Sequence, residues 1–453
     1  MGQEPLKILA ASGQLGFGIP QASFERGMAR QPHVVGCDMG SIDPGPFYLG
    51  SGEMVAPRAM VKRDLALALT ASLHADVPLI IGSAGTAGAQ PHLGATVAVL
   101  RKIATEKGFS FRLVTVRSDL TAGMVRHSQA NGELEPIDPM LQSSEGDVLD
   151  CQHIVGQCGT ETLARALALD PDVVLAGRAC DTAIFSVFPE LLGYPVSLSL
   201  HMAKVVECTS LCCQPGGCDA MLATLDAEGF MLESMNPACH ATPASVAAKA
   251  LYEQANPYEV EEPGETLRLH AARDEAVDAH RTRISGAEFV LRAKPTLKIE
   301  GAAYVGSRVM LAAGVADPRL VTCLPEVLAV VTQKVRTRLP GDWRVVPYIF
   351  GQGAVRALPP EQFSSHEAGL FVEFIAHDAE MAMTVASVFK QNLLHHAFPQ
   401  RLTTAGNLAF CFTPPELAGR ETYRFVLYHV MHNALLDQIF QDEDQSIAPA
   451  WIQ

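Results

Sequence analysis

Aromatic side chains are scarce in this sequence: Phe, Trp and Tyr make up 6% of its 453 residues, although hydrophobic residues reach 48%. The apolar content is largely Ala, Val and Leu, which suits sheets covered by Ala-rich helices better than an aromatic-rich β-sandwich. Long apolar runs are also lacking, since no uninterrupted stretch approaches about 18 residues. The first residues, MGQEPLKILAASGQLGFG, lack a basic segment followed by an apolar core. We therefore expect no signal peptide, no membrane span and a soluble cytoplasmic protein.

Basic residues are in deficit: 34 Lys and Arg stand against 49 Asp and Glu, which gives a formal net charge of −15. Such a surface repels phosphate backbones and anionic lipids, so we expect neither nucleic acid nor a membrane as a partner. An anionic small-molecule substrate stays compatible with this charge, because a binding site needs only local positive charge.

The sequence has no Cys-x-x-Cys pair, although it contains eleven cysteines. Four of them gather at Cys208, Cys212, Cys213 and Cys218 without the paired spacing of zinc or iron–sulfur sites. An odd number of cysteines, many inside apolar segments, is typical of a reduced cytosolic protein. We therefore predict no metal ligands among the cysteines and no intrachain disulfide.

Short β-like runs alternate with longer helical stretches over the first 200 residues. The predicted strands are Lys7–Ala11, His33–Cys37, Pro78–Ile81, Arg112–Val116, His153–Val155 and Asp172–Ala176. Stretches with Leu, Ala and Val on one side and charges opposite predict helices at Lys62–Ala75, Ala95–Lys107 and Thr160–Leu169. Strands separated by helices form βαβ units, so we predict an α/β fold with a parallel-sheet N-terminal domain and helices on both faces.

The pattern changes from Asn236 onward. The predicted elements there are a helix over Thr242–Gln254, adjacent strands Lys294–Glu300 and Ala303–Ala312 around Gly301, a helix over Pro325–Thr337, strands Leu370–Ala376 and Leu408–Phe412, a helix over Ala379–Leu394, and a last strand and helix around Tyr423–Phe440. We predict an α/β domain over residues 1–340, with a sheet core over 1–200 and a substrate-side subregion over 201–340. A smaller α+β C-terminal domain is predicted over 341–453.

Glycine and polar residues follow the predicted strands directly. The loops that show this are Ser12–Gly18, Asp38–Pro46, Gly82–Gly88, Gly156–Glu161 and Gly177–Thr182. In an open parallel sheet the ligand crevice lies outside the carboxyl ends of the strands. All five loops are expected at that edge, so the sequence predicts the functional site there.

Backbone and side-chain groups in these loops are predicted to bind the substrate. The backbone N–H groups of Gly82–Gly88 can hold a phosphate or carboxylate, although a tight strand-to-helix turn is the alternative. The segment lacks the Lys of a Walker A loop, so a nucleotide site is not indicated. The predicted substrate-binding residues are Ser12, Asp38, Ser83, Thr86 and Arg178.

Carboxylates accumulate at the same sheet edge, at Asp38, Asp43, Glu53, Glu161 and Asp181. Carboxylates in a crevice serve as general bases or bind a hard cation through oxygen. The alternative for any single Asp beside Gly is a helix cap or a hydrogen bond to loop backbone. We predict catalytic roles for Asp43, Glu161 and Asp181. No cofactor and no metal ligand set is predicted, although a divalent cation stays possible.

Three further groups of charges are candidates. Arg178 can clamp a substrate carboxylate bidentately, or it can form a structural ion pair with Asp181. His201 and Lys204 are predicted catalytic residues, because they share a helix face with Glu207 and Cys208 and proton transfer needs such groups together. Lys298 and Glu300 lie inside an apolar strand, so we expect each to meet a partner.

Taken together, these stretches resemble the acyclic terpene utilisation family, named for the AtuA protein. The resembling stretches cover nearly the whole chain, in a specific order: Gly36–Gly50 with its Asp-Pro-Gly-Pro, Gly82–Gly88, Gly177–Thr182, His201–Cys208, Asn236–Pro243, Leu251–Glu253, Glu262–Gly264, Lys298–Gly301, Thr404–Phe410 and Tyr423–His429. One departure is His240, where the family favours Cys, which puts any role for a thiol there in doubt. The resemblance implies an α/β fold and a place in the catabolism of branched, terpene-like and carboxylic acids, often near acyl-CoA enzymes. It does not carry over catalytic residues.

We predict a homo-oligomeric catabolic enzyme, a lyase (hydratase) or isomerase, that acts on a small carboxylic acid or its acyl-CoA thioester. Proton abstraction beside a carbonyl, followed by loss or addition of water, needs a base, an acid and an anion clamp. The sequence has no complete dinucleotide fingerprint and no Gly-x-Ser-x-Gly motif, which disfavours an oxidoreductase and a hydrolase. The alternative is a non-catalytic acyl-binding or scaffold subunit that requires a partner protein.

Overall fold

The chain forms two compact units. A computed structural model describes residues 4–139, 141, 143–251, 256–356, 359, 366–401, 405–434, 439–440 and 447–453. One unit comprises Met1–Ala303 with Phe425–Gln453, and the other comprises Tyr304–Arg424. The two units are defined by how compactly their residues pack and do not test the predicted domain division between residues 340 and 341, which stays a prediction.

A ten-stranded mixed sheet is the centre of the larger unit. Its parallel strands lie in the order β1 (Leu6–Ser12), β2 (Val34–Asp38), β3 (Leu79–Gly82), β7 (Val173–Ala176) and β4 (Phe111–Val116). Antiparallel strands extend the sheet beyond β1 as β8 (Met221–Leu225), β9 (Gly229–Ser234), β13 (Arg281–Ser285) and β12 (Arg273–Ala276), and beyond β4 as β19 (Ile447–Ile452). The carboxyl ends of β1, β2, β3, β7 and β4 therefore meet at one edge.

Helices cover both faces of this sheet, because alternate residues of each strand point to opposite sides. Ile8, Val34 and Ile80 pack in a core with α7 (Thr160–Leu167), α8 (Asp181–Leu191) and α9 (Val196–Val206). Leu9 and Val35 pack in a second core with α1 (Gln21–Met28), α3 (Arg58–Ala75) and α4 (Gln90–Lys107). The predicted α/β fold with helices on both faces is confirmed.

The remaining elements of the larger unit surround this sheet. The short helices are α2 (Phe47–Ser51), α5 (Ala122–Ala130), α6 (Glu145–Asp150), a 3-10 helix over Thr209–Cys212 and α10 (Pro243–Ala250). A three-stranded antiparallel sheet is formed by β10 (Glu259–Glu261), β11 (Glu265–Arg268) and β14 (Glu288–Leu291). The strand β5 (Leu134–Pro136) pairs with residues 429–431 of β18 (Glu416–His432). Among the described residues, no helix is both long and apolar enough to cross a membrane.

One predicted member of the parallel sheet lies elsewhere. The strand β6 (Cys151–Gly156) pairs antiparallel with residues 299–303 of β15 (Thr296–Val315) instead of joining β3 and β7. The prediction was wrong on this strand because an apolar run carries no information about its pairing partner. The loop after β6 still reaches the end of β7, because Cys158 forms a β-bridge with Ala179.

The smaller unit is an α+β unit. It contains β16 (Trp343–Phe350), β17 (Ala368–Ala376) and residues 304–315 of β15, with α11 (Pro318–Thr322), α12 (Leu324–Arg338) and α13 (Ala379–Leu394). Val309, Phe374 and Phe389 are among the side chains of its core. The chain passes between the units within β15 and β18.

Several predictions for the second half of the chain need correction. The two strands predicted around Gly301 are one continuous strand, β15, because a glycine inside a strand need not end it. The predicted strand Leu408–Phe412 is no strand, and only Ala409 forms an isolated bridge, with Gly314. The predicted helix over Pro325–Thr337 and that over Ala379–Leu394 are present as α12 and α13. Parts of two predicted helices, residues 252–255 and 435–438, lie outside the described residues.

A buried carboxylate fixes the loop that follows β1. Asp64 of α3 is fully buried and accepts hydrogen bonds from the backbone N–H groups of Gly16 (2.9 Å), Gly18 (2.9 Å) and Ile19 (3.0 Å). Arg63 donates to the same carboxylate at 2.6 Å. One side chain therefore sets the path of the loop that leads away from Ser12.

Replacing Asp64 by Asn is expected to lower the free energy of unfolding by about 1–3 kcal/mol, because the amide NH2 then faces buried backbone donors. Urea denaturation followed by circular dichroism measures the change. The matched control is Asp76→Asn, at an exposed helix end with φ 54°, a conformation that Asn tolerates. Equal losses in the two variants would show that the carboxylate of Asp64 has no special role.

Candidate active site

Three loops meet at the carboxyl edge of β2, β3 and β7. The Ser83 hydroxyl accepts hydrogen bonds from the backbone N–H of Ala179 at 3.2 Å and from Nη1 of Arg178 at 3.3 Å. A Cβ on Gly40 would lie 2.5 Å from both Arg178 Nη1 and Ser83 Cβ. Only glycine therefore fits between these side chains, which brings the loops after the three strands into direct contact.

The Arg178 guanidinium is buried and held by Glu300. Its Nε and Nη2 atoms donate to the two carboxylate oxygens of Glu300 at 3.1 and 3.2 Å, and Lys298 lies 3.5 Å from Glu300 Oε1. Burial raises the pKa of Glu300, but Arg178 and Lys298 outweigh burial and hold it below its usual value. The expected partners of Lys298 and Glu300 are thus present, and the ion pair of Arg178 is made with Glu300 instead of Asp181.

Asp38 ends β2 as a buried carboxyl group. Among the described residues its Oδ1 atom has no hydrogen-bond partner. Burial, followed by the charge of Asp181, raises its pKa to about 8, although Arg178 and the backbone N–H of Gly40 act in the opposite direction. At neutral pH Asp38 therefore holds a proton that it can donate.

Asp181 lies at the first position of α8, where the helix dipole favours a negative charge. Its charge raises the pKa values of four neighbouring groups: Asp38, Lys204, Glu207 and Glu262. Asp181 is therefore the carboxylate that links the Arg178 side of the cluster to its lysine side.

Two buried lysines share one carboxylate on that lysine side. Lys204 of α9 and Lys249 of α10 donate to the same oxygen of Glu207, at 2.8 and 3.0 Å. Burial lowers the pKa of both lysines, but Glu207 reverses the effect and raises it. A Cβ on Gly13 would lie 2.5 Å from the Glu207 carbonyl oxygen, so the loop after β1 packs against this group. Lys204 is therefore a fixed cation in a triad with one positive charge in excess.

A second protonatable carboxyl group adjoins the cluster. Glu262 is buried and accepts hydrogen bonds from the Thr182 hydroxyl at 2.8 Å and the Cys180 thiol at 3.1 Å. Burial raises its pKa to about 7, and Glu207 and Asp181 add to the effect. Burial also raises the pKa of the Cys180 thiol, so this cysteine stays a thiol that donates to the carboxylate. Glu262 is thus a second carboxyl group that changes protonation near neutral pH.

The predicted residues divide into those that share this cluster and those that lie outside it. The cluster contains Asp38, Ser83, Arg178, Asp181 and Lys204. Ser12 is buried at the end of β1 and accepts a hydrogen bond from the backbone N–H of Gln14 at 3.1 Å. Thr86 is buried at a φ of 91°, where its backbone N–H bonds to the Ser83 carbonyl. Both follow their strands as predicted, and their role in substrate binding stays a prediction.

Asp43 and Glu161 are exposed. Asp43 lies in a turn, where its backbone N–H donates to the Ser41 hydroxyl at 3.1 Å. Glu161 lines a narrow crevice with Thr182 and Glu262. Burial raises the pKa of Glu265 in that crevice to about 7, and the charge of Glu161 adds to the effect. Catalytic roles for Asp43 and Glu161 stay predictions.

His201 is buried in α9 but faces an aromatic ring. Its imidazole packs edge-on against Phe230, with the ring centroids 5.3 Å apart. Burial lowers its pKa to about 4, so the ring is neutral. Among the described residues neither ring nitrogen has a hydrogen-bond partner. Its predicted catalytic role stays a prediction.

The described part of the chain contains no group of three or more His, Cys, Asp or Glu side chains arranged to hold a metal ion. All eleven cysteines lie among the described residues, and none forms a disulfide bond there. Two carboxylates of the cluster, Glu207 and Glu300, are paired with Lys and Arg side chains.

Sequence reasoning missed Lys249 and Glu262 as members of the site and treated Glu300 only as part of a structural pair. Lys249 is a lone charge in the small-residue helix Pro243–Ala250, and Glu262 precedes Pro263-Gly264 in a hairpin. The signal available for Lys249 was its position among Ala and Val side chains, since a buried Lys needs a carboxylate partner. The sequence offered no partner, because Glu207 is distant along the chain.

Comparison with known proteins gives one match. A sequence model described as Acyclic terpene utilisation family protein AtuA matches residues 61–187. These residues are AtuA-like. The AtuA-like segment begins in α3 and ends in α8, so it includes Ser83, Arg178 and Asp181. The resemblance inferred from the sequence motifs is thus confirmed by this segment. No curated protein and no solved structure matches the chain.

Proposed function

We propose that this chain is a catabolic enzyme that acts on a small carboxylic acid or its acyl thioester by lyase, hydratase or isomerase chemistry. The observation that carries the proposal is the pair Asp38 and Asp181. The two carboxyl groups interact at the carboxyl edge of the sheet, and one of them is kept protonated beside the charge of the other. Paired carboxyl groups in different protonation states are the arrangement that general acid–base catalysis needs.

The two carboxyl groups would divide the reaction between them. Asp181 removes the proton from the carbon beside the substrate carbonyl, and the C–H electron pair forms an enolate. As the enolate electrons return to form a C=C bond, the C–O bond on the next carbon breaks, and Asp38 donates its proton to the departing hydroxyl group, which leaves as water. Hydration is the reverse. In an isomerisation the proton returns to a different carbon and no water is formed.

Positive charge for the substrate carboxylate and the enolate oxygen comes from two groups of side chains. In the first group, Lys204 and Lys249 carry two positive charges against the one negative charge of Glu207. In the second, Arg178 and Lys298 carry two positive charges against the one negative charge of Glu300. Fixed cations at a buried site stabilise developing negative charge without reorganisation. Nε and Nη2 of Arg178 donate to Glu300 and Nη1 donates to Ser83, so contact with substrate is left to the second N–H of Nη1 or of Nη2.

The test is exchange of the hydrogen beside the carbonyl for deuterium, because this step precedes loss of water and does not depend on the final product. The purified protein is incubated in D2O with a panel of hydroxy and unsaturated acids and their CoA thioesters, and NMR follows the exchange. Asp181→Asn is expected to slow exchange by about 100-fold or more. The control is Asp342→Asn, at an exposed position outside the cluster.

The alternative, a non-catalytic acyl-binding or scaffold subunit that requires a partner protein, gives a different result in the same experiment. Line broadening would show that a member of the panel binds, but no exchange would occur with the chain alone. Equal exchange rates in the wild type and Asp181→Asn would remove Asp181 from the scheme. The expected homo-oligomer and cytoplasmic location, like the absence of a cofactor, belong to this proposal.

A further inference from the structure

A cavity of about 550 Å³ lies at the end of β9, and it shares no lining residue with the buried cluster described above. Its walls come from the last turn of α1, from residues 233–239 and from the turn between β12 and β13. Three of the lining side chains are arginines, Arg26, Arg30 and Arg281. Side chains from separate parts of the chain thus direct positive charge into one space.

Local contacts fix each arginine. Arg30 pairs with Glu233 at 2.5 Å, and Arg281 pairs with Asp278 at 2.6 Å. Arg26 donates from Nε to the Met235 carbonyl oxygen, a contact that does not use its terminal nitrogens. Among the described residues no carboxylate lies within ion-pair distance of Arg26. The guanidinium groups are therefore positioned before any ligand arrives.

Charge in the cavity is positive although the chain carries a net charge of −15. Three arginines face two carboxylates, Glu233 and Asp278, and each carboxylate already has an arginine partner. His280 also lines the cavity, and its ring stacks on that of His240 with the centroids 4.4 Å apart. On a strongly acidic protein, such a site is where an anion meets the least repulsion.

We propose that this cavity binds the phosphate group of a small molecule. A phosphate has oxygens on all sides and can accept hydrogen bonds from guanidinium groups that approach from different elements, whereas one arginine satisfies a planar carboxylate. The volume lies in the range of small-molecule sites, which leaves room for more than a bare ion. The site goes beyond the proposed acid–base reaction and does not depend on it.

The competing explanation is structural. Arg26 lies in the last turn of α1, where a positive charge offsets the negative end of the helix dipole, and its contact with Met235 holds β9. On this explanation the arginines stabilise the fold and bind no ligand. Binding and stability measured in the same variants separate the two explanations.

The experiment uses isothermal titration calorimetry of the full-length protein with inorganic phosphate, coenzyme A and dephospho-coenzyme A. We expect saturable binding of at least one probe, weakened by added salt. Arg26→Gln and Arg281→Gln should each weaken it by about tenfold or more. Arg58→Gln, at an exposed arginine outside the cavity, should not change it. Tighter binding of coenzyme A than of dephospho-coenzyme A would identify the 3′-phosphate as the group bound, and binding of phosphate alone would identify the free ion.

Two results would overturn the proposal. One is no saturable binding of any of the three probes to the wild-type protein at millimolar concentration. The other is binding that both arginine variants retain at full strength. Should Arg26→Gln fold poorly because it loses the Met235 contact, Arg281→Gln decides the question, since Arg281 is the first residue of β13 and its ion-pair partner Asp278 is exposed. Neither result depends on deuterium exchange, so the acid–base proposal stands or falls separately.

Discussion

Asp38→Asn is expected to make the loss of stability with rising pH shallower between about pH 4 and pH 8. An ordinary Asp has a pKa of 3.8, and burial beside Asp181 raises that of Asp38 to about 8. Between these values the folded protein holds a proton that the unfolded chain has released, so stability falls as pH rises and levels off above the folded pKa. The Asn side chain is never ionised and removes this contribution. Thermal midpoints across this range measure the effect.

Other buried carboxyl groups also contribute to the loss of stability with rising pH. Burial raises the pKa values of Glu262 and Glu265 to about 7 and that of Glu190 to about 8, so the variant keeps part of the pH dependence. Asp342→Asn, at an exposed position, should follow the wild-type curve. An unchanged slope in Asp38→Asn would mean that Asp38 is ionised in the folded protein.

The same substitution distinguishes a role of Asp38 as the catalytic acid from a role in stabilising the fold. Since Asn cannot donate the proton that forms water, dehydration should slow by about 100-fold or more while the variant stays folded at neutral pH. Deuterium exchange, which needs only the base, should slow less. A variant that dehydrates substrate at the wild-type rate would exclude Asp38 as the acid.

Local patterns predicted the central elements because each depends on neighbouring residues alone. The buried strand around Ile80 is predicted by an apolar run between polar loops. The helix α13 is predicted by the helical spacing of its apolar residues. Pairing partners are not local. The strand β6 contains the apolar pair Ile154 and Val155, much as β3 is an apolar run, yet it pairs with β15, far along the chain. The sequence therefore predicted the fold class and misplaced β6.

The same distinction holds at the site. Asp38, Ser83, Arg178 and Asp181 were found because the carboxyl ends of parallel strands meet at one edge. Lys249, Glu262 and Glu300 come from later parts of the chain whose folding back onto that edge no local pattern encodes. They nevertheless decide the charge states, because Glu300 occupies Arg178 and Glu207 joins Lys204 to Lys249. Loop position can be predicted from the sequence, whereas the charge balance of a buried cluster requires the structure.

Glu207→Gln is expected to lower the free energy of unfolding by about 3–5 kcal/mol. The substitution removes the carboxylate to which Lys204 and Lys249 both donate, so two buried ammonium groups lose the counter-charge that they hydrogen-bond. Equilibrium unfolding in guanidinium measures the loss. Glu228→Gln, an exposed glutamate in the turn between β8 and β9, should change stability by less than about 0.5 kcal/mol.

Replacing all three charges together should restore stability but not activity. In Glu207→Leu/Lys204→Met/Lys249→Met none of the three triad charges remains, and apolar side chains in place of a buried ion triad are often neutral or stabilising. If the triad serves the reaction, this variant should melt near the wild-type temperature and lose deuterium exchange, because its excess positive charge no longer stabilises the enolate. Full exchange in a stable triple variant would show that the triad serves only the fold. A triple variant as unstable as Glu207→Gln would mean that the lost stability comes from packing around α9 and α10 instead of from unpaired charge.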